Sequence, residues 1–267
     1  MTITNAQPIP LWSGETPGIS TAEPPFQPTI TPYVLNGATP GGCVIVCPGG
    51  AYVGRAPHEG EPIALALNDR GIAACVCDYR VAPYRHPYPL LDAQRAIRWV
   101  RANAAQLNVD PAAVGILGFS AGGHLVSTAG THYDTGRVDG DELDRQSCRP
   151  DAIVLCYPVI SFGEFGHVGS KNNLLGENPP EVLVQSLSNE TQVTADTPPA
   201  FLWHTADDPG VLVQNSLLFA QALSAHGVPY ELHVYRSGRH GLGLAPEFPH
   251  IATWMDLCAE WLKEIGF

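Results

Sequence analysis

Six short apolar runs are strung along residues 43–235, bounded by Gly, Pro or Asp and separated by stretches with helical periodicity. They are Cys43–Cys47, Ala73–Asp78, Val114–Gly118, Ala152–Val159, Ala200–His204 and Glu231–Tyr235. Consecutive rather than alternating apolar positions mean that both faces of each strand are covered, as in a parallel sheet between two helical layers. Helical spacing recurs at Leu91, Ala93, Ile97, Val100 and Ala104, and again at Leu212, Leu217, Phe219, Ala220 and Leu223. Ile251, Trp254, Met255, Cys258, Trp261 and Leu262 form one apolar stripe. The alternation predicts an α/β fold, a mostly parallel central sheet with helices on both faces.

One domain is expected over residues 1–267, with two irregular parts. Residues 1–40 are rich in Pro and Thr and read as an extended lead-in on the surface. Residues 161–199 break the rhythm with Gly163, Gly166, Gly169, Gly176 and two Pro pairs, and carry a short helical pattern near Glu181–Leu187. Long irregular stretches inside compact domains are usually lids or binding loops, so this one is expected to cap the site; a peripheral insertion is the alternative.

Three loops carry chemistry. Gly118-Phe119-Ser120-Ala121-Gly122-Gly123 joins a strand directly to the helical run His124–Gly130. A nucleophile on so sharp a turn needs small residues two before and two after it. The turn lifts Ser120 Oγ above the sheet and sets the Ala121 N–H at a helix N-terminus, where an oxyanion is favoured. Pro48-Gly49-Gly50-Ala51-Tyr52 follows the first core strand, so the N–H of Gly50 or Ala51 can supply the second oxyanion donor; a plain turn is the alternative. Asp207-Asp208-Pro209 follows the fifth run and Arg239-His240-Gly241 the sixth. A serine needs an imidazole to take its proton, and the imidazole needs a carboxylate to fix its tautomer. Loops at the carboxyl ends of parallel strands converge on one side of the sheet. Ser120, Asp208 and His240 are therefore the expected triad, with Asp208 preferred to Asp207 because Asp-Pro turns its carboxylate into the loop. His124 is expected to pack beneath the turn and His204 to sit satisfied in the core. His58, His86 and His167 remain open as site residues, as do Tyr52, Tyr79, Tyr84, Phe162 and Trp203 as pocket lining.

The formal charge is −12, from 26 acidic and 14 basic side chains. It argues against a general nucleic-acid or anionic-membrane binder, because phosphates attract Lys/Arg surfaces. No apolar run approaches the roughly 18 residues that cross a bilayer, and Met1–Pro10 carries no secretory pattern. Five of the seven cysteines lie in apolar runs, where a thiol is a small hydrophobe, so a reduced, cytoplasmic protein is expected. Cys43, Cys47, Cys75 and Cys77 could instead hold zinc, but their spacing matches no standard knuckle, and alternation along the strands is expected to split them between faces.

On these residues, together with Asp78-Tyr79-Arg80-Val81-Ala82-Pro83 and Tyr88-Pro89 with Asp92, the chain resembles the α/β-hydrolase superfamily. Within it, the chain looks like the small esterases related to hormone-sensitive lipase and to acetyl xylan esterases. Two features depart from the lipase-like pattern: Pro48 stands where those relatives have His, and Ala51 replaces a third glycine. The Pro-Gly-Gly start with Tyr52 following is more like the acetyl xylan esterase and sugar-esterase members, and Ala51 can still donate its N–H in a slightly narrower hole. The family's N-terminal helical cap is also missing, so any lid must come from 161–199. The resemblance implies a serine esterase acting on short acyl esters, acetyl groups of sugars or xylo-oligosaccharides among them, with no metal or organic cofactor. A prolyl-oligopeptidase-type peptidase, or a non-catalytic small-molecule receptor on the same fold, are the competing readings.

Overall fold

In the computed structural model, which describes residues 6–14, 16–18, 25–35, 37 and 39–267, the alternation becomes one eight-stranded sheet. The strands are β1 (Ile9–Pro10), β2 (Thr29–Tyr33), β3 (Gly41–Cys47), β4 (Ala73–Asp78), β5 (Val109–Phe119), β6 (Ala152–Cys156), β7 (Ala200–Thr205) and β8 (Tyr230–Tyr235), in the order β1-β2-β4-β3-β5-β6-β7-β8. β1 and β2 are antiparallel, and every pairing from β4 to β8 is parallel. The helices are α1 (Glu61–Asn68), α2 (Tyr88–Ala102), α3 (Ala104–Leu107), α4 (Ala121–Thr131), α5 (Val168–Leu175), α6 (Glu181–Ser186), α7 (Gln214–Ala225), α8 (Pro249–Ala252) and α9 (Trp254–Glu264). This is the α/β-hydrolase fold.

The pleat of β3 shows why the strands had to be apolar on both faces. Cys43, Ile45 and Cys47 pack into the core under α2 and α4 with Ala93, Ile97, Leu125 and Ala129. Val44 and Val46 point the other way, into the core under α1 and α9 with Ile63, Leu67, Trp254 and Leu262. Among the described residues no helix is long and apolar enough to cross a membrane.

Four expectations change. Cys43, Cys47, Cys75 and Cys77 are not split between faces but share one, because 43 and 47, like 75 and 77, are even steps apart on a period of two. Cys43 Sγ and Cys75 Sγ lie 3.9 Å apart, and the thiols of Cys75 and Cys77 are pushed well above the ordinary range by the neighbouring thiol and by burial. Within the extended lead-in, β1 and β2 add the antiparallel edge of the sheet; residues 1–5, 15, 19–24, 36 and 38 lie outside the described residues. The lead-in is pinned by a buried pair: Arg80 Nη2 donates to Asp92 Oδ1 at 2.7 Å, and Trp12 Nε1 donates to the same oxygen at 2.9 Å. Residues 161–199 carry α5 as well as the expected helical piece, α6. The last stripe is divided between α8 and α9 at Thr253, whose hydroxyl donates to His250 O.

Candidate active site

Ser120 sits between β5 and α4 at φ +52° and ψ −118°, a conformation a side chain rarely adopts. Three backbone bonds hold it there. Its N–H donates to Cys156 O at 3.0 Å, and its carbonyl accepts from Val159 N–H at 3.0 Å and His124 N–H at 3.1 Å. The flanking glycines are required by contact: a Cβ on Gly118 would meet Gly122 O at 2.2 Å, and one on Gly122 would meet Cys47 O at 2.2 Å.

The expected triad is brought together. Ser120 Oγ lies 2.8 Å from His240 Nε2, and His240 Nδ1 lies 2.7 Å from Asp208 Oδ2. With Nδ1–H donating to the carboxylate, Nε2 is left to accept the serine proton. Asp208 is buried, and its other oxygen accepts from Gly210 N–H at 2.8 Å and Val211 N–H at 3.0 Å. Burial alone would raise this carboxyl; His204, His240 and the Val211 N–H outweigh it and hold it well below the usual carboxylate range. His240 is the nearer of the two imidazoles: His204 Nε2 is 3.6 Å from Asp208 and spends its hydrogen on Val211 O at 2.9 Å. Asp207 does something else: it accepts from Ser237 Oγ at 2.6 Å and Gly238 N–H at 2.9 Å, latching the two loops together at the surface.

The oxyanion candidates face the serine from a tightly held turn. Gly50, Ala51 and Tyr52 all have positive φ, at 140°, 52° and 58°. Tyr79 O–H donates to Pro48 O at 2.5 Å, Gly49 N–H to Glu59 Oε2 at 2.8 Å, and Asn173 Nδ2 of α5 to Ala51 O at 2.8 Å. The N–H groups of Gly50, Ala51 and Ala121 make no hydrogen bond to the described residues, so they are free for a ligand. Ala121 adds the N-terminus of α4.

A cavity of ≈260 Å³ opens over Ser120, lined by Gly50, Ala51, His58, His167 and His240 among others. His58 and His167, left open by the sequence, belong to it; His86 does not. Tyr52 is corrected: it is buried, and the two positive-φ residues turn it beneath the loop, where its O–H donates to His124 Nδ1 at 2.9 Å. His124 Nε2 donates to Leu187 O at 2.8 Å, and burial lowers its pKa to about 3. Tyr79, Tyr84, Phe162 and Trp203 are buried as well. His204 is satisfied in the core, with Nδ1 on Ser216 Oγ at 2.8 Å.

Sequence reasoning missed Glu59. It is buried at 2% exposure beside the serine, accepting from Gly49 N–H through Oε2 and from Tyr157 O–H at 2.7 Å through Oε1. Tyr157 Oη in turn accepts from Gly243 N–H at 2.8 Å, and the Tyr157 ring meets His240 edge-on at 5.1 Å. Burial, and then the carboxylate, push the Tyr157 hydroxyl well above its ordinary pKa, so it remains a donor. Glu59 thereby ties the oxyanion turn to the histidine loop. Nothing in the local pattern His58-Glu59-Gly60-Glu61 marks which carboxylate turns inward.

The BD-FAE family pattern matches residues 33–223. The solved acetyl ester-xyloside bifunctional hydrolase of Caldicellulosiruptor lactoaceticus superposes with a TM-score of 0.96 at 54% identity, over 98% of this chain and 97% of that one. Endo-1,4-beta-xylanase B of Butyrivibrio fibrisolvens is 38% identical over 82% of this chain and 35% of its own length. Acetylxylan esterase of Xylanibacter ruminicola is 33% identical over 84% of this chain and 46% of its own. The chain thus spans less than half the length of the latter two.

Proposed function

The chain belongs to the BD-FAE family, and on that premise we propose that it is a serine carboxylesterase cleaving short acyl esters, acetyl esters of xylo-oligosaccharides above all. The observation that carries the reading is the unbroken chain from Ser120 Oγ through both nitrogens of His240 to buried Asp208, opening on the ≈260 Å³ cavity. The acetyl ester-xyloside hydrolase and the acetylxylan esterase among its relatives support the choice of ester.

Ser120 Oγ attacks the ester carbonyl as His240 Nε2 takes its proton. The charge on the carbonyl oxygen is met by the N–H of Ala121 and that of Gly50 or Ala51, and Asp208 supports the imidazolium. His240 then protonates the departing alcohol oxygen, leaving Ser120 acylated. Water, deprotonated by His240, attacks the acyl carbon; the Ser120 Oγ–acyl bond breaks as His240 returns that proton to Oγ, and the acid leaves. No step calls on a metal or an organic cofactor. A reducing, cytoplasmic setting belongs to the same reading and is supported by seven free, buried thiols.

The test compares p-nitrophenyl acetate, butyrate and octanoate, then acetate release from acetylated xylo-oligosaccharides, in wild type and Ser120→Ala. Cleavage that favours acetate, falling at least about 10⁴-fold in Ser120→Ala together with loss of fluorophosphonate labelling, upholds the proposal. A wild type inert on all of them, or a Ser120→Ala variant of equal activity, overturns it.

A further inference from the structure

Beside the site lies a second hollow that the triad does not use. This hollow, ≈330 Å³, meets the cavity over Ser120 at His58 and Gly241, which line both. His58 Nε2 donates to Gly241 O at 3.1 Å, bridging the two loops at the boundary the hollows share. A third hollow of ≈280 Å³ adjoins the second through Glu247 and presents Phe248 and His250. The three together make a run of shallow depressions, the shape that suits a linear ligand rather than a compact one. Each of the outer two is near the lower end of the roughly 300–1,000 Å³ that holds a small ligand.

The position of the run decides which half of an ester it serves. Most of its lining, Arg239 and Gly241 beside His240 and then Leu242, Leu244, Pro246 and Glu247, belongs to the histidine loop; His58 and Pro62, from the segment after Gly50 and Ala51, form the facing wall. His240 has to protonate the departing alcohol oxygen, so the group leading away past Gly241 is the alcohol and not the acyl chain.

The lining decides the chemistry. Leu242, Leu244 and Pro246 offer an apolar surface that fits the C–H faces of sugar rings. The polar rim is a matched pair: Arg239 Nη2 donates to Glu247 Oε1 at 2.9 Å, with both side chains about half exposed (54% and 55%). Arg239 Nη1 is spent on the carbonyls of His240 and Gly241 at 3.1 and 2.9 Å, so the guanidinium is pinned to the histidine loop. Paired charges still donate to and accept from hydroxyl groups, yet give no net field to draw a phosphate or carboxylate.

We propose that the hollows lined by Leu242, Leu244, Arg239, Glu247 and Phe248 are the binding site for a neutral xylo-oligosaccharide chain, held as the alcohol half of the ester. This rests on the esterase reading above. It predicts that recognition of several sugar units lies on the histidine side of Ser120, and that short aryl esters make no use of it.

Two variants test it: Leu244→Trp, which fills the second hollow, and Arg239→Ala, which removes the rim. Calorimetry with unsubstituted xylotetraose reads the groove without turnover. We expect binding to wild type, weaker binding of xylose, and at least a tenfold loss in Leu244→Trp. In kinetics, the ratio of kcat/KM on acetylated xylotetraose to kcat/KM on p-nitrophenyl acetate should fall about tenfold in each variant. No xylotetraose binding to wild type at about 10 mM, or an unchanged ratio in both variants, overturns the proposal. So does a shift in the butyrate-to-acetate preference instead, which would give the hollow to the acyl group. A wild type inert on every ester would sink the esterase reading, and the calorimetry would still decide the groove.

Discussion

Replacing Glu59 tests whether the oxyanion turn is held from beneath. In Glu59→Gln the shape survives, but the side chain now has one acceptor and one donor facing two donors, Gly49 N–H at 2.8 Å and Tyr157 O–H at 2.7 Å. If the amide oxygen stays on Gly49, Tyr157 is left with a buried hydroxyl hydrogen and no acceptor, since its oxygen already takes Gly243 N–H. An orphaned buried donor costs about 1–3 kcal/mol, and trading a charge-assisted bond for a neutral one about 1 kcal/mol more. The sum, about 2–4 kcal/mol, corresponds to a Tm fall of roughly 4–16 °C in a chain of this size. The catalytic effect should lie in kcat, because the turn meets the oxyanion rather than the ground-state ester. Losing one oxyanion donor outright costs about 10²–10³, so a loosened turn is expected to cost about 10–10². Glu59→Ala, which orphans both donors, should be worse on both counts. The assay is steady-state hydrolysis of p-nitrophenyl acetate beside thermal unfolding. Wild-type kcat in both variants, with any effect confined to KM, would refute the argument.

Asp208→Asn should lower kcat by about 10⁴, because the amide no longer fixes the imidazole tautomer. Asp207→Asn should stay within about tenfold of wild type, since that side chain holds only Ser237 and Gly238; equal losses in the two variants would sink the assignment. Gly122→Ala forces a Cβ to 2.2 Å from Cys47 O, backbone that cannot step aside, and should cost at least about 3 kcal/mol with loss of the serine's geometry. A folded, active Gly122→Ala enzyme would contradict this. His124 supplies a pH prediction: burial lowers its pKa to about 3, whereas the unfolded chain titrates near 6.5. Between those values only the unfolded state takes up the proton, so this contribution to stability is complete above about pH 7 and drains away as pH falls toward 3. The urea midpoint of wild type should therefore fall toward that of His124→Gln between pH 7.5 and 4.5, and a constant gap would refute it.

The parts of the site legible in the sequence are those whose chemistry constrains their neighbours. Ser120 needs Gly118 and Gly122, and Asp208 and His240 each follow a strand that its apolar run betrays, so position and residue type reinforce one another. What escaped had no such neighbour. Val168–Leu175 buries only Ser170 and Leu174, so α5 has almost no apolar stripe to read. β1 and β2 pair at the edge of the sheet, where Thr and Pro serve as well as Val or Ile. Tyr52 follows the glycine pair as a pocket residue would, and only the positive φ of Ala51 and Tyr52 sends it under the loop. The expected split of Cys43 from Cys47 and of Cys75 from Cys77 failed on simple parity: residues an even number apart on one strand share a face, whatever their type.

Backbone strain explains why the supports of the site extend beyond the triad. Among the described residues seven non-glycines have positive φ, and four of them, Ala51, Tyr52, Ser120 and Tyr157, lie in the loops that meet around the serine. Each such residue costs about 1–3 kcal/mol and persists only where its surroundings insist on it. Here they do: Ser120 is fixed between Cys156 and Val159, Tyr157 N–H donates to Trp203 O at 2.7 Å, and the glycine turn is tied at Pro48, Gly49 and Ala51. Glu59 and Tyr157 join two of these loops to the one that carries His240. A triad of three side chains could relax independently; one mounted on cross-linked strained loops cannot, because easing one turn breaks a buried bond to another. The 2.7 and 2.8 Å contacts along Asp208, His240 and Ser120 are thus maintained by groups that never touch the ester. Damage to those groups should therefore register in kcat while the sheet beneath remains folded.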